Sequence, residues 1–197
     1  MRQETGSNLI LDNKKVSIQV KLGGRSFSAG DVEVAEGAEQ IEIVVDTPRV
    51  TLAPCEEISL DTAAAMLRVV GKPCRCNEKA VCSDLQSDIV AVMAIDSEAL
   101  TSIEERWGSA VSFTSPLLDM RHGDESCLTI DKSEEVCYVR LFEGGLQRAE
   151  AYEVATAEDV LYIVAKWLDK NDTPIYIKGE ADCAKLLRKY YTQVICE

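Results

Sequence analysis

Residues 128–145 read LTIDKSEEVCYVRLFEGG, with Asp131 ending an apolar strand and Ser133 in the short polar turn that follows. An aspartate so placed can order a hydrated Mg²⁺, and a turn of backbone N–H groups with a hydroxyl can hold a phosphate. A second candidate is Gly179, in IYIKGEADCAKLL, at a strand-to-helix junction where a backbone can approach a ligand closely. The third is the trio Cys74, Cys76 and Cys82 in CRCNEKAVC, because thiolates bind zinc.

Each candidate carries residues that work against it. The turn after Asp131 contains Lys132, no glycine, and the adjacent Glu134 and Glu135. Two carboxylates repel a triphosphate, at about 1–4 kcal/mol per charge pair near ~4 Å. Gly179 is flanked by Lys178 and Glu180, and a glutamate at a helix start suits the helix dipole while opposing an anionic ligand. The cysteine spacing C-x-C-x₅-C departs from the usual C-x₂-C pair, and a fourth ligand would have to be the distant Cys55 or His122. The expected state of 74–82 is a reduced, partly exposed loop. His122 is the single histidine, so a Ser-His-Asp or Cys-His nucleophile would depend on it; it is expected in solvent. Asp131, Asp159 and Asp182 follow the order of a two-metal nuclease cluster, but Asp159 reads better as a helix-capping charge and Asp182 as first-turn charge. No catalytic, cofactor or metal site is therefore expected. Asp131, Ser133 and Gly179 stand as vestigial candidates, and Cys74, Cys76 and Cys82 as weak ones.

Composition narrows the partners. The 197 residues hold 21 basic and 34 acidic side chains, a net charge of −13. That opposes nucleic acid and anionic membrane surfaces, which require a positive field. No apolar run approaches the ~20 residues needed to span a bilayer. The segment MRQETGSNLILDNKK lacks the apolar region of a signal peptide. A cytoplasmic chain with free thiols is expected, Cys137 and Cys183 acting as small buried hydrophobes.

The elements that must position these residues follow from periodicity. Val16, Ile18, Val20 and Leu22 alternate with polar residues, as in a half-buried strand. Gly23-Gly24 suggests a hairpin turn, followed by a strand carrying Phe27. IEIVV at 41–45 reads as a third strand, and RVTLA at 49–53 as a short extended piece. Helical spacing over 59–70 has Asp61 and Thr62 as candidate caps, and 72–87 reads as loop. DIVAVMAI at 88–95 suits a strand buried on both faces. A helix with Leu100, Ile103 and Trp107 follows, then a strand at 110–113. Residues 119–126, DMRHGDES, are the most polar interior stretch and read as a linker between a half at 1–118 and another at 127–197.

Past the linker the order repeats. Strands fall at 127–131, 136–142 and 146–153. Thr156 with Asp159 forms a variant capping box before a helix carrying Val160, Ile163, Val164 and Trp167. A strand at 174–178, a helix with Cys183 and Leu187, and a strand at 192–196 complete it. Each half reads β-β-β-α-β-α-β, and residues 16–34 align without gaps on 136–154.

This α/β order resembles the ribonuclease-H-like fold, and two such halves resemble the superfamily of actin, sugar kinases and Hsp70 chaperones. KKVSIQVKLGGRSFS, DTPRVTLAP, FTSPLLDM and AEDVLYIVAKWL resemble a bacterial family of unknown function built as a degenerate duplicate of that fold. More distantly the chain resembles the actin-like cytoplasmic assembly protein of type IV pilus and type II secretion systems. The resemblance implies a non-catalytic binding or assembly module, without cofactor, that engages a protein partner. Two alternatives stand beside it: a nucleotide-binding ATPase-like protein with divergent phosphate loops, and a domain stabilised by zinc at 74–82.

Overall fold

The computed structural model describes residues 15–21 and 40–197. The turn at Gly23-Gly24 and the strand around Phe27 lie outside the described residues. Eleven strands among the described residues form three sheets. The first runs β1 (Lys15–Lys21), β2 (Gln40–Asp46), β6 (Val111–Thr114), all parallel. The second is antiparallel, with β5 (Ile89–Asp96) between β3 (Val50–Pro54) and β4 (Glu78–Cys82). The third orders β7 (Ser126–Lys132), β8 (Val136–Glu143), β9 (Leu146–Glu153), β10 (Ile175–Lys178) and β11 (Val194–Cys196) as β11-β10-β7-β8-β9. In that sheet β7, β8 and β9 are an antiparallel meander, while β10 and β11 add in parallel.

The period of two within single strands divides the core. In β5, Ala91, Met93 and Ile95 enter one apolar cluster, while Val90, Val92 and Ala94 enter another beneath α1 (Ala63–Val69). This strand is thus buried on both faces, as its apolar run indicates. In β8, Val136 and Tyr138 join the first cluster, and Cys137 and Val139 face a third. That third cluster holds α3 (Ala157–Trp167) and α4 (Ala181–Leu187) against the five-stranded sheet. The first cluster takes in β2, α2 (Ser97–Trp107) and β9, so it welds the N-terminal elements to the meander. Lys72 adds a polar tie there, its Nζ donating to Val50 O (3.1 Å) and Ala151 O (3.0 Å).

Helix starts follow local chemistry. Asp96 caps α2 by accepting from the Glu98 and Ala99 amides. Thr156 and Asp159 form a reciprocal capping box on α3. Thr62 does not cap α1; its Oγ1 accepts from Ser59 N at 2.9 Å, and the helix begins at Ala63. Among the described residues no helix is long and apolar enough to cross a membrane.

Three further expectations change. IEIVV is β2, but it runs parallel to β1 and does not extend an antiparallel meander. The segment 72–87 contains β4, whose Val81 and Cys82 are buried and whose Glu78 is bonded to Arg49. The alignment of 16–34 on 136–154 equates β1 with β8, yet β8 pairs antiparallel on both sides whereas β1 pairs in parallel with β2.

Candidate functional site

A cleft of about 800 Å³ opens at the C-terminal ends of β2, β6, β7 and β10. Ligands of open parallel sheets gather at such ends. Its walls include Asp131, Lys132, Ser133 and Glu134 from the β7–β8 turn, Gly179 and Glu180 from the β10–α4 junction, and Asp119 after β6. The structure therefore brings Asp131, Ser133 and Gly179 together.

The turn is filled by its own lysine. The Lys132 side chain is 1% exposed, and Nζ donates to the carbonyls of Ser133 and of Glu134, the latter at 2.8 Å. Glu180 Oε1 lies 3.8 Å from the same ammonium. A phosphate loop turns N–H groups inward; this turn directs two carbonyls at a cation, the opposite polarity. Asp131, paired with Lys178 across β7–β10, has its Oδ2 3.4 Å from Lys178 Nζ. Glu134 and Glu135 are exposed at the tip.

Ser133 serves a second arrangement. Its Oγ donates to Asp46 Oδ1 at 3.0 Å, and Tyr138 Oη donates to the same oxygen at 2.8 Å. Tyr138 Oη in turn accepts from Thr47 N at 2.8 Å. Asp46, Thr47 and Tyr138 are all buried. Burial, followed by the charge and hydrogen bond of Asp46, holds the Tyr138 phenol well above its usual pKa. The end of β2 is thereby latched to the β7–β8 turn. This latch was missed in the sequence, where the one signal was an aspartate closing an apolar strand.

Gly179 has a structural reason to be glycine. Its φ is +132°, and a Cβ there would sit 2.4 Å from Lys132 O. The β10–α4 junction crosses directly against the lysine-filled turn.

The remaining candidates scatter. Asp159 accepts from Ala155 N and Thr156 N in its capping box, and Asp182 is exposed on α4, so the nuclease order does not converge. Cys76 is exposed, Cys74 half-buried and Cys82 buried, and these do not gather as a ligand group. Burial pushes the Cys74 and Cys82 thiols up, which keeps them protonated.

His122 departs from expectation. It stacks on Tyr176, centroids 4.0 Å apart, with its side chain 15% exposed. Its Nδ1 is 3.0 Å from Glu125 Oε1 and its Nε2 is 2.7 Å from Glu197 Oε1. The polar segment is held by Glu125 within it, by Tyr176 on β10 and by Glu197 just after β11.

No protein-family model matches the chain. No curated protein matches it either. Among solved structures, it is similar to a Bacteroides thetaiotaomicron protein with actin-like ATPase fold and unknown function, at TM-score 0.65 and 19% identity, over 80% of this chain and 68% of that one. Weaker likenesses are the cytoplasmic domain of EpsL, an inner-membrane component of the Vibrio cholerae type II secretion system (TM-score 0.41, 11% identity, 83% and 81% covered), and the AlfA filament bound to AMPPNP (0.39, 13%, 81% and 53%). The first likeness establishes architecture and no activity. The chain has an actin-like ATPase fold.

Proposed function

We propose that the chain is a non-catalytic binding module in which the actin-like fold has closed its phosphate-loop position with its own side chains. One observation carries this reading: the Lys132 ammonium sits inside the β7–β8 turn on two backbone carbonyls. An anionic phosphate would meet those carbonyls and the exposed Glu134 and Glu135. Duplication is part of the proposal. Its support is the parallel order β1-β2-β6, which matches β7-β10-β11. The partner proposed is a protein, engaged in the cytoplasm; the net charge of −13 disfavours nucleic acid.

The test is thermal unfolding of the full chain with and without millimolar Mg-ATP. An unchanged melting temperature is expected. A rise of several degrees would overturn the proposal, because a ligand of the native state stabilises it by mass action. The second reading, a nucleotide-binding protein with divergent loops, draws on the cleft of about 800 Å³ and on Asp131 in its wall. The same measurement decides between them. The partner is tested separately, by affinity capture from native cytoplasm: reproducible recovery of nothing would remove it.

A further inference from the structure

The N-terminal end of β7 gathers ligand atoms that the cleft does not use. His122, Glu125 and Cys127 each offer one atom, and all three lie within 4.8 Å of one another. Two tight turns bring them together: Gly123 N donates to Met120 O (2.9 Å) and Glu125 N to His122 O (3.0 Å). Cys127 follows as the second residue of β7, 1% exposed, and its thiol has no hydrogen-bond partner among the described residues. We propose that His122 Nδ1, the Glu125 carboxylate and Cys127 Sγ form a site for one zinc ion, with Glu197 orienting the imidazole from its far side.

The chemistry fits a borderline-soft divalent cation. Nitrogen, oxygen and sulfur donors at 2.0–2.3 Å from zinc stand about 3.3–3.8 Å apart in a tetrahedron. The observed donors lie within 4.8 Å of one another, with Nδ1 and Oε1 at 3.0 Å, so reaching that spacing takes relative shifts of up to about 1–1.5 Å. A neutral imidazole, a carboxylate and a thiolate together neutralise Zn²⁺. Three protein donors leave the fourth position for water. Metal-bound histidines give their other N–H to a carboxylate, and Nε2 stands 2.7 Å from Glu197. Stacking on Tyr176 fixes the ring plane. Without metal, burial and then the nearby Glu125 and Glu197 charges push the Cys127 thiol up to about 11. Binding therefore releases the thiol proton to solvent as the S–Zn bond forms. Zinc here would pin the 119–126 segment to β7, and through Glu197 to the end of β11. The site is independent of the cleft and of its proposed closure.

The test is titration of chelator-stripped, reduced full chain with Co²⁺, followed by displacement with Zn²⁺. One equivalent is expected, with a thiolate-to-cobalt charge-transfer band that zinc abolishes. Glu197→Gln should weaken binding about 10–100-fold, the range for partners of metal-bound histidines. Glu125→Gln and His122→Gln should weaken it at least as much, and Cys127→Ala should remove the band. A Cys74→Ala/Cys76→Ala variant should bind like the parent. Glu125 is exposed, so Glu125→Gln decides the matter even where Cys127→Ala fails to fold. Absence of binding, absence of the band, or a band that survives Glu125→Gln and His122→Gln overturns the proposal. Loss of the band in the Cys74/Cys76 variant does so too.

Discussion

The two ends of β7 solve opposite problems. At the C-terminal end, Asp131, Lys132 and Ser133 each have partners inside the chain: Lys178, two backbone carbonyls, and Asp46. At the N-terminal end, His122 and Glu125 pair with each other while the buried Cys127 thiol beside them has none among the described residues. A lysine held on two carbonyls is committed to the turn, whereas a buried thiol is a weak donor that stays available to a soft cation. The side chains at the cleft end are thus engaged within the chain, and at the other end the Cys127 thiol is, among the described residues, the one unbonded donor, beside a His122–Glu125 pair.

Disturbing the closed end should have the largest effects. Gly179→Ala places a Cβ against the Lys132 carbonyl at a φ that L-residues rarely adopt. Left-handed strain and overpacking together predict a loss of about 3–5 kcal/mol. At about 2–4 °C per kcal/mol for a chain of this size, the melting temperature should fall by roughly 10 °C. A loss below about 1 kcal/mol would mean that the β10–α4 junction does not press on the turn.

Tyr138→Phe should rank next. It strips one donor from Asp46 and leaves the Thr47 N–H without its acceptor, all in buried surroundings. An unsatisfied buried group costs about 1–3 kcal/mol, so chemical denaturation should show about 2–3 kcal/mol. Lys132→Met should cost somewhat less, about 1–2 kcal/mol, because the two freed carbonyls border an open cleft and can take up water. Amide exchange would localise that loss to the β7–β8 turn. If Lys132→Met proves costlier than Tyr138→Phe, the lysine, and not the Asp46 latch, holds the closed end together.

These residues also show what a sequence exposes. The meander β7-β8-β9 with α3, β10 and α4 was legible because each element has its own signature: alternation, a Gly-Gly turn, a capping box, a period of 3.6. The N-terminal part was less so because its pairing is non-local. IEIVV reads as a strand, yet nothing in it says that its neighbour is parallel. EKAVC begins with two charges, and it is a strand because β5 supplies its partner and Arg49 neutralises Glu78. Asp131, Ser133 and Gly179, singled out on separate motifs, line one cleft. The direction of the Lys132 ammonium, and the bond from Tyr138 to an aspartate 92 positions away, are properties of the folded chain alone. The polar neighbours of His122 point to solvent, yet the ring packs on Tyr176. Two of its partners lie far along the chain: Tyr176 on β10, and Glu197 just after β11.

The smallest expected effect belongs to the open end, measured in chelator so that no metal competes for His122. Desolvation alone would lower the imidazole pKa; hydrogen bonds to Glu125 and Glu197 outweigh it and hold the value above the ordinary one. The bond to His122, and a further one from Tyr176, holds Glu125 below the usual carboxylate range. The histidine's contribution is therefore complete below about pH 6.5, its unfolded value, and is lost as pH rises through the higher folded value. The glutamate's contribution is complete above about 4.3 and is lost as pH falls through the lower folded value. Between these limits the pair is fully charged, and the melting temperature should have a plateau there. Above it the melting temperature should decline with a slope of at most one proton, since unfolding then releases the proton His122 retained. Glu197 faces Nε2 at 2.7 Å and also lies 3.3 Å from Arg121. His122→Gln should flatten the decline while leaving the parent's response to Tyr138→Phe unchanged, because His122 and Tyr138 share no hydrogen-bond partner. A decline that persists in His122→Gln would place the titrating group elsewhere and uncouple this end of the strand from the pH response.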